Sequence, residues 1–162
     1  MMGAGKSAVG RSLAVASGRG FLDTDQMLQH KLGRSVSSLF NVYGEAAFRD
    51  HETCILRDLQ PSFDVLSTGG GIVVRDENWP ELRRLGTSVY LDTSAEMLIE
   101  RLTQSKKKRP LLQVENWEDK LRALLDSRVP LYRQADLIVP VTAESVDEVA
   151  GTVLQALQEA GA

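Results

Sequence analysis

The run Gly3-Ala4-Gly5-Lys6-Ser7, near the start of a 162-residue chain, restricts the fold more than any other segment. Two glycines separated by one residue let the backbone curl until successive N–H groups point inward. The Lys-Ser pair that follows opens a helix whose positive end faces the same point. The arrangement suits a phosphate: the backbone of Gly3, Ala4, Gly5 and Ala8 would cradle it, Lys6 would reach the outer phosphates of a nucleotide, and the Ser7 hydroxyl would coordinate Mg²⁺. A plainer reading is a glycine-rich turn capping an ordinary helix. In the full pattern, G-x-x-x-x-G-K-[ST] after a buried strand, the first glycine would fall one position before Met1. The expectation is therefore that the native gene product carries a strand and a leading glycine ahead of Met1. The chain as given would then be less stable and less active than that longer form.

The rest of the chain alternates helical and strand signals. Val9, Leu13 and Ala16 share a helical face that Gly18 ends, and Phe21-Leu22 reads as a short strand delivering Asp23-Thr24-Asp25. Helical stretches follow from Gln26 to Gly33, after Ser35 as N-cap, and from Glu45 to Leu59, before Pro61. Asp64 to Thr68 reads as a strand running into Gly69-Gly70-Gly71. Residues 76–85 form a helix stopped by Gly86, residues 88–91 a buried strand, and Ser94 caps a helix through Leu102. After a polar stretch, Trp117 to Ser127 is helical, Leu137 to Val141 is a last strand, and Ser145 with Glu148 forms a capping box for a terminal helix. Alternating elements of this kind predict an α/β fold, a parallel sheet covered on both faces, with ligands held at the carboxyl ends of the strands.

Composition narrows the classes. The chain is 43% hydrophobic, enough for one domain with a sizeable core. A net charge of −3 argues against a general nucleic-acid binder. One cysteine, Cys54, excludes an internal disulfide, and its helical setting suggests a packing role. No run reaches 18 apolar residues and no signal-peptide pattern opens the chain, so neither a membrane partner nor secretion by that route is expected. His30 and His51 lack metal-ligand spacing, and Trp79 and Trp117 read as packing residues at helix starts.

Several further motifs stand in a fixed order: Asp23-Thr24-Asp25, Phe48-Arg49-Asp50-His51-Glu52, the three glycines, Arg109-Pro110-Leu111-Leu112, and Arg128-Val129-Pro130-Leu131-Tyr132. With the phosphate loop they make the chain resemble the shikimate kinases, small members of the nucleoside-monophosphate-kinase-like group, from Met1 to about Val141. The resemblance implies a three-layer α/β/α phosphate-loop kinase fold. It also implies a single domain over residues 1–162, a substrate-binding region about residues 26–60, and a mobile lid about residues 103–116. The implied reaction is transfer of the γ-phosphate of ATP to the 3-hydroxyl of shikimate, in the route to aromatic amino acids. The enzyme would act as a cytoplasmic monomer, or in the plastid stroma had an upstream transit segment been removed.

Roles follow residue by residue from the same resemblance. Asp25 matches the aspartate that binds shikimate hydroxyls and orients or deprotonates the attacking one. Asp23 matches the aspartate that helps hold Mg²⁺, and strand geometry would turn both carboxylates to one side. Arg49 and Arg128 match the pair that clamps the substrate carboxylate, for which a planar guanidinium fork is suited and lysine is not. Glu52, three residues after Arg49, would steady it. Gly70 matches a shikimate contact, with Gly69 and Gly71 shaping the loop. Arg109 matches the lid arginine that stabilises phosphate charge alongside Lys6, and Arg101 an arginine near the adenine. Lys106, Lys107 and Lys108 read as solvated surface. The alternatives are a non-catalytic ligand-binding module on the same fold and a related small-molecule kinase such as a gluconate kinase.

Overall fold

A computed structural model describes residues 1–62, 64–105, 109–142 and 145–161. Lys106 to Lys108, read above as solvated, lie outside the described residues. Helix α1 (Lys6–Ser17) starts straight from the loop and is closed by Gly18 in the left-handed conformation, at φ 66°. Strand β1 (Phe21–Asp23) runs into α2 (Thr24–Leu32), which Gly33 ends in the same way. Ser35 caps α3 (Val36–Asp58) by accepting the Ser38 N–H. At Gly44 the backbone takes φ 78° and ψ 171°, which breaks α3 into two helical pieces. The separate helix expected from Glu45 is the second of these.

Strand β2 (Val65–Ser67) is followed by the glycines, a 3₁₀ turn at Ile72–Val74, and α4 (Asn78–Leu85). Strand β3 (Val89–Thr93) leads to α5 (Ala95–Thr103), capped by Ser94. A second 3₁₀ turn (Pro110–Leu112) precedes α6 (Trp117–Tyr132), β4 (Leu137–Val141) and α7 (Val146–Glu159). The capping box of α7 forms as the sequence predicts: Ser145 Oγ accepts the Glu148 N–H at 3.3 Å, and Glu148 accepts the Ser145 N–H at 2.6 Å.

The strands are parallel, as expected, but they form two pairs rather than one continuous sheet. β1 pairs with β2, Leu22 opposite Leu66; β3 pairs with β4, Leu91 opposite Val139. A cavity of about 300 Å³ is lined by Val65 and Leu66 of β2, Tyr90 and Leu91 of β3, and Val9 and Leu13 of α1. Helices α1 and α7 pack together across one face, α1 touching β1 and β2 and α7 touching β4, so they tie the two pairs into one body. Gly10 lets α1 lie close on β1 and β2, since a Cβ there would stand 2.8 Å from the Phe21 ring and 3.6 Å from Val65. The main core gathers Leu56, Ile72, Leu98, Leu121, Val139 and Val153; a smaller one joins Leu28, Leu39, Phe48 and Ile55 of α2 and α3.

Two local expectations need correction. Helix α6 continues five residues beyond Ser127, through Pro130, to Tyr132. An interior proline costs a helix about 3 kcal/mol. Tyr132 is buried and Val129 and Leu131 pack on the core, which offsets that cost. Cys54, expected to pack inside, is exposed on α3, the helix instead turning Thr53, Ile55 and Leu56 inward. Among the described residues, no helix is long and apolar enough to cross a membrane.

Candidate active site

The loop adopts the backbone its glycines permit. Gly3 and Gly5 have φ of 83° and 88°, both in the left-handed region, and a Cβ on Gly3 would press on Leu102 Cγ at 3.2 Å. Gly5 precedes α1 with no side-chain cap, so the first N–H groups of the helix remain for a ligand. Buried Ala4 anchors the loop from below. Ala8, whose N–H is bonded to the Gly5 carbonyl at 3.0 Å, turns its methyl outward. Lys6 Nζ bridges back to the Met1 carbonyl at 2.8 Å. Burial lowers the Lys6 pKa, with Asp25 opposing and Arg109 adding to the fall. Arg101 stands beside the loop, its Nη1 3.4 Å from the Ala4 carbonyl.

Ser7 and Asp23 meet directly: Ser7 Oγ donates to Asp23 Oδ2 at 2.7 Å. The other oxygen of Asp23 accepts the N–H groups of Asp25 and Gln26, at 3.0 and 3.2 Å, as the N-cap of α2. The strand argument for Asp23 and Asp25 therefore fails in detail. Asp25 lies in the first helical turn, and what brings the two carboxylates together is the cap. An exposed hydroxyl beside a buried carboxylate is an oxygen pair of the kind Mg²⁺ takes from protein, since that ion draws its other ligands from phosphates and water. Among the described residues no cluster of three or more His, Cys, Asp or Glu offers an all-protein cage.

Around Gly69 to Gly71 the acidic and basic groups converge. A Cβ on Gly69 would lie 2.5 Å from Glu52 Oε1 and 2.9 Å from Asp25 Oδ1, and one on Gly71 would overlap the Arg49 guanidinium. A side chain at either place would have to displace those groups. The loop is tied by its own backbone, Gly69 N–H donating to Thr24 Oγ1 at 3.1 Å and Gly70 carbonyl accepting from Tyr132 at 2.6 Å.

Arg49 and Glu52 are both almost fully buried, so theirs is not the surface ion pair that their spacing alone would suggest. Arg49 donates to Glu52 Oε2 at 2.5 Å and to Glu45 Oε1 at 2.9 Å, with its guanidinium against the faces of Phe40 and Phe48. Burial works against its charge, but the two glutamates prevail and raise its pKa. Glu52 is pushed up by burial, Arg49 opposing. Asp25 is raised by burial and then by Asp23, against the pull of Lys6, Arg109 and Arg49.

Arg128, buried on α6, adds its charge to the same field, acting on both Lys6 and Glu52. Arg109, just before the Pro110–Leu112 turn, acts on Lys6 and Asp25. Three buried polar atoms here have no hydrogen-bond partner: Arg49 Nε, Glu52 Oε1 and Arg109 Nε. Unpaired groups of this kind carry a desolvation cost of about 1–3 kcal/mol each, which a polar ligand would relieve.

Of the predicted site residues, Asp25 and Arg49 meet Glu52 around Gly69 to Gly71, Ser7 meets Asp23, Lys6, Arg109 and Arg128 act on those charged groups, and Arg101 lies at the phosphate loop beside Ala4. Thr24, Tyr132 and Glu45 were not foreseen. Thr24 and Tyr132 were visible as members of quoted motifs, but nothing in spacing shows that a hydroxyl will meet a distant backbone. Chemically, a glycine loop at a helix start stands with a carboxylate and two guanidiniums, the set of groups a phosphate-loop kinase would use on a small acceptor bearing hydroxyl and acid groups.

Comparison with known proteins sharpens this. A family description, shikimate kinase, matches residues 2–158. The shikimate kinase of Chromobacterium violaceum is 43% identical over 159 residues, covering 97% of this chain and 86% of that protein. That of Chromohalobacter salexigens is 50% identical over 141 residues, covering 85% of this chain and 77% of its own. Among solved structures, shikimate kinase from Acinetobacter baumannii in complex with shikimate superposes with a TM-score of 0.91 at 41% identity, covering 98% of this chain and 89% of that one. The chain belongs to the shikimate kinase family.

Proposed function

We propose that this protein transfers the γ-phosphate of ATP to the 3-hydroxyl of shikimate, giving shikimate 3-phosphate and ADP. The observation that carries the reading is the convergence of Asp25, Glu52 and the Arg49 guanidinium on Gly69 to Gly71, with Lys6 and Arg109 acting electrostatically on the same aspartate. Arg49 and Arg128 hold the substrate carboxylate, and the backbone at Gly70 approaches the ring. Asp25 accepts the hydroxyl's hydrogen bond and takes its proton as the oxygen attacks phosphorus. Its raised pKa suits it to receive that proton. Lys6 and Arg109 face the phosphates and neutralise the charge spread over the transferring group.

Ser7 and Asp23 would hold Mg²⁺, which when bound neutralises charge on the β- and γ-phosphate oxygens. Arg109 would be carried to the phosphates by a lid about residues 103–116, and Arg101 would lie at the nucleotide side. We take the protein to be a single-domain monomer of the cytoplasm, with neither nucleic acid nor membrane as partner.

The test is an acceptor panel. With ATP and Mg²⁺, ADP release should depend on shikimate and on neither gluconate nor nucleoside monophosphates. Release driven by gluconate alone would make the protein a related kinase. Tight nucleotide or shikimate binding without any turnover would make it a binding module.

A further inference from the structure

Helix α6 carries two inward-facing residues one turn apart, Arg128 and Tyr132, both about 5% exposed. Arg128 has a role already, as a clamp on the substrate carboxylate. Tyr132 and Thr24 both bond the glycine loop: the Tyr132 hydroxyl donates to the Gly70 carbonyl at 2.6 Å, while Thr24 Oγ1 accepts the Gly69 N–H at 3.1 Å. The loop is therefore held by one neighbouring side chain at a donor and by another at an acceptor. Its next residue, Gly71, lies against Arg49.

The environment of Tyr132 keeps the hydroxyl a donor. Burial raises the phenol's pKa, with the charge of Arg128 opposing. The ring is fixed by stacking on Tyr90, centroids 5.0 Å apart and planes at 19°. Arg128 and Tyr132 stand one turn apart on the buried face of α6, so the 2.6 Å bond from the phenol to Gly70 ties the turn that carries the arginine to the loop. A shift of that turn of α6 would therefore pull on the loop.

We infer that Tyr132 is a positioning residue for acceptor binding: it sets Arg128 and the Gly69–Gly71 loop in one register, so that the carboxylate clamp and the backbone over the substrate ring form together. The inference rests on shikimate as acceptor. It assigns Tyr132 no contact with the reacting atoms, and it puts the larger effect on acceptor binding, since the 2.6 Å bond to Gly70 outweighs the weak 3.5 Å contact of the hydroxyl with Met1 Sδ, the residue whose carbonyl holds Lys6.

The deciding variant is Tyr132→Phe, which keeps the ring on Tyr90 and removes only the hydroxyl. KM for shikimate should rise about tenfold, the size expected for a lost hydrogen bond in a charged network. KM for ATP should stay within about twofold and kcat fall less than KM rises. Tyr90→Phe, which loses a hydroxyl bonded to Asp92 on the same stack, should leave both constants near those of the parent. An unchanged shikimate KM in folded Tyr132→Phe, or equal rises for both substrates, would overturn the inference.

A second measurement needs no variant. In the parent protein, shikimate alone should slow amide exchange in residues 69–71 and 128–132 together, and a nucleotide analogue alone should not. Protection of one segment without the other would contradict the linkage. Absence of any shikimate binding by the parent would instead sink the proposed function itself, so the two failures read differently.

Discussion

Asp25 is placed where burial and the neighbouring Asp23 both disfavour its charge, and Lys6, Arg109 and Arg49 recover only part of the loss. A carboxyl whose folded pKa stands above its unfolded value contributes stability when protonated, below the unfolded pKa, and loses it as pH rises through the folded one. The charged form that the proposed reaction would use therefore destabilises the fold. Asp25→Asn removes that penalty. It should melt at a higher temperature than the parent at pH 7, with the difference shrinking as pH falls from the raised folded pKa and gone below about 4, the ordinary carboxylate value. Turnover should drop by about 10²–10⁴-fold, the scale of a lost general base. A folded Asn variant with near-normal rates would remove Asp25 from the mechanism, and one less stable at pH 7 would show that its charge is better compensated than we argue. Glu52, raised by burial as well, shares the sign of this dependence.

At the scale of elements, the site depends on backbones meeting side chains with no room between them. Gly71 is the sharpest case, since any Cβ there overlaps the Arg49 guanidinium. Gly71→Ala must push Arg49 from its place between Glu45, Glu52 and the phenylalanines. We expect KM for shikimate to rise at least about tenfold, equivalent to about 1.4 kcal/mol of lost binding, with the nucleotide constant little changed; steady-state kinetics in both substrates measures this.

Motif order told where these elements come together, and local chemistry told most of their ends: Gly18, Gly33, Ser35, Ser94 and the Ser145–Glu148 box all terminate or cap helices as read. Long-range burial was not legible. It carries α6 through Pro130 to Tyr132, and it turns Arg49 and Glu52 from an exposed pair into a buried one. The pairing of Asp23 with Asp25 was anticipated for the wrong reason, because a helix cap and an extended strand can present the same two carboxylates to one place.

For the whole molecule, the strands form two parallel pairs with a cavity of about 300 Å³ lined by both, and α1 with α7 holds them as one body. The residues assigned to the proposed site hang on both sides of that frame. Asp23, Asp25 and the glycine loop follow β1 and β2, whereas Arg101, Arg109 and Arg128 belong to the segments after β3. A bisubstrate reaction built this way needs the two halves aligned, so its product is the most direct report on the account. Phosphorus NMR of the protein with ATP, Mg²⁺ and shikimate should show ADP appearing in step with one phosphomonoester coupled to the ring proton at carbon 3. Inorganic phosphate in place of that ester, or an ester on another hydroxyl, would contradict it.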